Sequence, residues 1–219
     1  MAERKAKILY VHGYLGHGNG NASQLVREAL EKRGLDFQLD APQFDVTDPE
    51  AMKNVFSGLA MDYDYVVASS LGALYAMMYA GGFRILVNPA LPEDLRKIRD
   101  EDPENNTELT DTFLEGLEGE VRWFFDHSID DEELFFTYFV FGSEDKIAGN
   151  RALFEAHYPK DHIDVAKMEH KMAPAGAEKV VGILEKLIEK KPQYVDPLNA
   201  ALAKMFEELE EDELDEAMR

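Results

Sequence analysis

Residues Tyr65 to Ala76, which read Tyr-Val-Val-Ala-Ser-Ser-Leu-Gly-Ala-Leu-Tyr-Ala, constrain the fold more than any other stretch of the chain. A short apolar run rich in valine reads as a strand buried on both faces, and small residues then open a helix without any intervening loop. Such a strand and helix meet only through an abrupt turn, which lifts Ser70 beyond the edge of the sheet. The first helical N–H groups then face any negative charge that develops beside its hydroxyl. Gly-x-Ser-x-Gly is the usual signature of this turn; Ala68 stands at its first position here and Gly72 at its last. Read alone, Ser-Leu-Gly is equally an ordinary entry to a helix with Ser69 or Ser70 as cap.

Two later segments bear on that choice. Phe135 to Phe141 reads as a strand that stops at Gly142-Ser143-Glu144-Asp145, with a helix expected from about Asn150. A shorter strand is expected at about 162–167, and His170 falls in the loop before a helix that begins near Pro174 or Ala175 and runs to about Lys190. Ser70, Asp145 and His170 thus each follow a strand. A histidine is the side chain suited to take the serine proton and return it to a leaving group, and an aspartate holds the imidazole in the tautomer this requires. Taken singly, Asp145 is a turn aspartate and His170 a solvated loop histidine; their joint placement makes them candidates for a catalytic triad.

The N-terminal strand, Ala6 to Val11, runs into His12-Gly13-Tyr14-Leu15-Gly16-His17-Gly18-Asn19-Gly20, with a helix from about Ala22 to Lys32. Glycines at this density permit close approach of backbone to a ligand. The loop has neither Gly-Lys-Ser/Thr nor Gly-x-Gly-x-x-Gly, which argues against a nucleotide loop. Its backbone suits an oxyanion hole made of the Tyr14 and Leu71 N–H groups, with His12 and Gly13 organising the loop.

Strands expected at 36–41, 65–69, 84–87, 135–141 and 162–167 alternate with helices, including one within the crossover from Pro49 to Asp62. This predicts a three-layer α/β fold with a mainly parallel central sheet. The connection from Asn88 to Phe135 is too long for an ordinary loop. A charged, exposed run over 93–106 and a helical stretch over about 109–127 are expected there, and the insertion 91–134 is the candidate lid. Trp123 and Phe124 are its candidate pocket residues, placing an apolar surface above Ser70. The same residues would also serve simply to pack helices on the sheet, and both readings stand.

His12-Gly13-Tyr14, Ala68-Ser69-Ser70-Leu71-Gly72, Asn88-Pro89-Ala90, Asp145 and His170 together resemble a small bacterial esterase-like branch of the α/β-hydrolases, over roughly residues 6–190. The chain order serine, aspartate, histidine fits that superfamily and neither the chymotrypsin nor the subtilisin arrangement. The resemblance implies a serine esterase or thioesterase that needs no cofactor. An amidase or peptidase would use the same residues, and a ligand-binding protein could occupy the same scaffold without catalysis.

Composition bounds the rest. The chain has no cysteine among its 219 residues, so disulfides, thiolate catalysis and cysteine metal sites are excluded. Six histidines are scattered without a compact ligand spacing, and no metal is expected. With 44 acidic against 23 basic residues the formal net charge is -21, a field that repels nucleic acid and anionic membranes. No signal-peptide pattern or apolar span is evident, so a cytoplasmic protein acting on a small-molecule ester or thioester, without membrane insertion, is expected. The domain is expected to occupy 1–191. After it, Leu198, Leu202, Met205, Phe206 and Leu209 recur at helical spacing in an acidic extension, 192–219, and a monomer or a homodimer would accommodate it.

Overall fold

In the computed structural model, residues 5–189 are described, and the chain divides into units at 1–183 and 184–219. The expected boundary at 191/192 and the acidic extension lie outside the described residues. Within the second unit, residues 184–189 are helical.

The first unit is built on six strands: β1 (Ala6–Val11), β2 (Phe37–Asp40), β3 (Tyr65–Ser69), β4 (Phe83–Val87), β5 (Thr137–Gly142) and β6 (Ile163–Ala166). They form one sheet in the order β2-β1-β3-β4-β5-β6, and every pairing is parallel. Helices α1 (Asn21–Lys32), α2 (Pro49–Ser57), α3 (Leu71–Tyr79), α4 (Pro92–Glu101), α5 (Asp111–His127), α6 (Asp131–Phe136) and α7 (Arg151–His157) intervene, and α8 starts at 174. Strand order reverses between β1 and β3. In an open parallel sheet this opens a crevice beyond the carboxyl ends of those two strands, where ligands bind.

Because side chains alternate across a strand, each strand feeds two layers. Leu9, Val11, Val66, Ala68, Leu86, Phe139 and Phe141 join Met52 and Phe56 of α2, most of α3, and Leu114, Leu117 and Phe124 of α5 in one apolar cluster. Their neighbours Ile8, Tyr10, Val67, Ile85 and Val140 are buried outside that cluster, as are Val26 and Leu30 of α1 and Ala177 and Val180 of α8. Glu178 of α8 takes both Lys32 and Arg33 at the end of α1. The result is the three-layer α/β arrangement. No helix of the described residues is long and apolar enough to cross a membrane.

Two expectations need correction. Phe135 and Phe136 end α6 instead of opening β5: Asp130 caps that helix by accepting the Glu133 N–H at 2.9 Å, and both rings pack on Phe83. The run over 93–106 is charged and largely exposed, as expected, but most of α4 lies within it. Its carboxylate Asp94 is fully buried, accepting the Leu91 N–H at 3.0 Å and the Asn150 amide at 2.6 Å, and Leu95 is buried beside it. A buried carboxylate with these donors braces α4 against α7.

Candidate active site

The strand-to-helix turn is as sharp as the sequence requires. Ser70 has φ 53° and ψ -123°, a conformation that costs a non-glycine residue roughly 1–3 kcal/mol. The surrounding backbone holds it there: the Ser70 N–H donates to Val87 O at 2.9 Å, while Ser70 O accepts the N–H groups of Leu74 at 3.1 Å and Ala90 at 3.3 Å. Space for the turn comes from two glycines. A Cβ at Gly13 would lie 2.5 Å from the Ser70 Cβ, and one at Gly72 would lie 2.3 Å from His12 O. Ala68, fully buried between Val11 and Leu86, fits the position usually held by glycine.

The structure brings Ser70, His170 and Asp145 together across 100 residues of sequence. His170 Nε2 lies 2.8 Å from Ser70 Oγ, and His170 Nδ1 lies 2.9 Å from Asp145 Oδ2. Asp145 Oδ1 accepts the Ile147 and Ala148 N–H groups at 2.8 and 3.1 Å, so both carboxylate oxygens are engaged. Burial by itself would raise the Asp145 carboxyl, but the His170 hydrogen bond and charge and these two amides outweigh it and hold the group below its ordinary value. An ionised Asp145 can only accept, so His170 Nδ1 carries a proton, and in the neutral imidazole Nε2 is then the acceptor for the serine hydroxyl. Ser69, the adjacent serine, is differently engaged, its hydroxyl taking the Tyr10 OH at 3.0 Å.

His12 is buried and does not reach this line of hydrogen bonds. Its Nε2 accepts the Phe44 N–H at 3.1 Å, and its Nδ1, which must then carry the proton, donates to Gly13 O at 2.9 Å. Burial lowers its basicity, keeping the ring neutral. It thus ties the loop after β1 to the loop after β2. Gly13 to Gly16 close a turn through Gly16 N to Gly13 O at 3.0 Å, with Leu15 at φ 55° and 70% exposed. Among the described residues, neither the Tyr14 N–H nor the Leu71 N–H is taken by an acceptor. Such free amides, one on the residue after Gly13, which packs against Ser70, and one on the residue after Ser70 itself, are suited to a developing oxyanion. The Tyr14 phenol bonds Glu108 at 3.0 Å and is pushed up to about 12, by burial first and then by that carboxylate.

Trp123 and Phe124 are not brought to Ser70. On α5, Glu120 accepts a hydrogen bond from the phenol of Tyr79, the last residue of α3. Tyr79 is nine residues beyond Ser70, or about 13 Å of helix. Trp123 and Phe124 follow Glu120 and line a cavity of about 360 Å³ with Lys53, Met78 and Tyr79; Phe124 is core, and Trp123 is 61% exposed. The middle of the insertion instead reaches the loop after β1, through Glu108 on the Tyr14 phenol. No feature of the sequence marked Glu108, since a single carboxylate in an acidic run is inconspicuous. Asn88 is also central: the sequence shows it only as part of Asn-Pro-Ala, and its partners are remote in sequence.

With this fold and this arrangement, the architecture matches that of the α/β-hydrolases. The mouse alpha/beta hydrolase domain-containing protein 10 superposes with a TM-score of 0.56 at 17% identity, over 87% of this chain and 92% of that one. MGS-MChE2, an alpha/beta hydrolase enzyme from the metagenome of sediments from the lagoon of Mar Chica, Morocco, gives 0.59 at 11% identity over 86% and 93%. The esterase domain of a Rhodothermus marinus protein gives 0.53 at 14% identity over 82% and 84%. No family model and no curated protein matches the sequence.

Proposed function

We propose that the protein is a serine hydrolase that cleaves small or moderately apolar carboxylic esters or thioesters through an acyl-enzyme. The observation that carries this reading is the hydrogen-bonded line from Ser70 Oγ through His170 to Asp145, at 2.8 and 2.9 Å. As Ser70 Oγ bonds to the carbonyl carbon, its proton passes to His170 Nε2. The carbonyl π electrons move to oxygen, facing the Tyr14 and Leu71 N–H groups. The tetrahedral species collapses, the bond to the leaving oxygen or sulfur breaks, and His170 returns the proton to it. Water then repeats the sequence: it gives its proton to His170 and attacks the acyl carbon, releasing the acid and restoring Ser70. No cofactor enters these steps.

Asp145 holds the tautomer on which both proton transfers depend. Asp145→Asn is expected to lower kcat by on the order of 10⁴-fold, since an amide accommodates the opposite tautomer. Retention of wild-type turnover, with the same melting temperature, would remove Asp145 from the mechanism.

The acyl group has a candidate place other than Trp123 and Phe124. A cavity of about 370 Å³ between the start of α2 and the first turns of α5 is lined by Thr47, Pro49, Thr110, Phe113, Gly116 and Leu117, among others. Short stretches of chain join its walls to residues bound to the loop after β1: Thr47 is three residues beyond Phe44, bound to His12, and Thr110 is two beyond Glu108, bound to Tyr14. Each buried CH₂ contributes roughly 0.8 kcal/mol, about fourfold in kcat/KM if realised in the transition state. We therefore expect kcat/KM to rise along p-nitrophenyl acetate, butyrate and hexanoate. A Cβ at Gly116 meets nothing within 4 Å, so Gly116→Phe should fill the cavity and abolish the rise, while Trp123→Ala should leave it intact. A flat wild-type series, or one unaltered by Gly116→Phe, would contradict this placement. Faster cleavage of anilides than of any ester or thioester would turn the reading to an amidase.

A further inference from the structure

Beside the site lies a polar side chain that the proposed chemistry does not use. Asn88, immediately after β4, is 1% exposed and has φ 45°. Its amide nitrogen donates to two consecutive carbonyls of the loop that carries His170, Glu169 O at 3.1 Å and His170 O at 3.0 Å. Its side-chain oxygen accepts the Gly142 N–H at 2.7 Å, at the end of the strand that leads to Asp145. Its own N–H donates to Val140 O at 3.1 Å. The two loops meet over Gly142, where a Cβ would stand 2.5 Å from Met168 O and 2.7 Å from Glu169 O. The following residues extend the same seam: Ala90 N–H donates to Ser70 O, and Pro89 O accepts from Asn150.

We infer that Asn88 is a positioning residue that fixes the His170 imidazole relative to both Asp145 and Ser70. The inference rests on the proposed roles of those three residues. No other side chain meets the requirement as well. Asparagine tolerates positive φ better than other non-glycine residues, and its short amide supplies two donors and an acceptor together. Glycine would accept the backbone but leave Gly142 N–H and both carbonyls without this partner. Aspartate would keep the acceptor and turn a negative oxygen toward Glu169 O and His170 O. A small displacement of the base suffices to impair reaction, because proton transfer and attack both depend on sub-ångström alignment.

The test compares Asn88→Gly and Asn88→Asp with wild type by three readouts: the rate of Ser70 modification by a fluorophosphonate, the separate kcat and KM for a p-nitrophenyl ester, and the low-field proton resonance of the His170 Nδ1–H. Thermal unfolding is followed alongside. In both variants we expect labelling and kcat to fall about 10- to 100-fold with KM within about twofold, and the resonance to shift or vanish while the fold is retained. A folded Asn88→Gly protein with wild-type labelling, kcat and resonance would overturn the inference. Loss of fold in both variants would also overturn it, by making the role one of general stability. Failure of the wild-type protein to be modified at Ser70 would overturn the hydrolase reading instead, and the resonance, which needs no turnover, would still decide whether Asn88 orients His170.

Discussion

Ser70→Ala is expected to lower kcat/KM for short p-nitrophenyl esters by on the order of 10⁵-fold or more, with a melting temperature close to that of wild type. The loss should be large because no second hydroxyl can substitute. Ser69 is one residue away, but its Oγ is occupied by the Tyr10 phenol. The fold should persist because the Ser70 backbone is secured by Val87, Leu74 and Ala90 and not by the hydroxyl. Residual hydrolysis above the rate in water is expected from the Tyr14 and Leu71 amides alone. Turnover within tenfold of wild type would exclude Ser70 as the nucleophile.

The second large effect separates two histidines that the sequence assigns to different roles, His170 to the triad and His12 to the organisation of the loop after β1. His170→Ala is expected to reduce the rate of acylation by on the order of 10⁴-fold or more, because the serine proton then has no positioned acceptor. His12→Ala removes the Phe44 and Gly13 hydrogen bonds and should act through the loop: a lower melting temperature and a smaller loss of rate. Burst kinetics with a p-nitrophenyl ester would measure acylation directly. Equal and mild effects of the two substitutions would contradict the assignment of His170 as the base.

The strands were legible because a parallel sheet covered on both faces demands nearly continuous apolar runs, as at Tyr65 to Ala68 and Arg84 to Val87. The three residues brought together at Ser70 were legible for a related reason: loops beyond the carboxyl ends of parallel strands converge on one edge of the sheet. Phe135 and Phe136 were misread since a short aromatic run has no periodicity of its own, and the Asp130 cap decides for helix. The helix α4 was hidden because a buried carboxylate, Asp94, has no signature distinct from the exposed acids around it. Trp123 and Phe124 suggested a lid by composition, yet their direction depends on which helix α5 packs against. The amide of Asn88 was the least legible of all: its partners lie 54, 81 and 82 residues away, and only the folded chain brings them within reach.

The proposed function requires that Ser70, activated by His170 and Asp145, be a nucleophile. Incubation of the full chain with a fluorophosphonate, followed by intact mass and peptide mapping, tests it most directly. One adduct per chain, located on Ser70 and absent from Ser70→Ala, is the expected result. No modification under conditions that label an authentic esterase, or an adduct on Ser69 or Ser143 instead, would contradict the account.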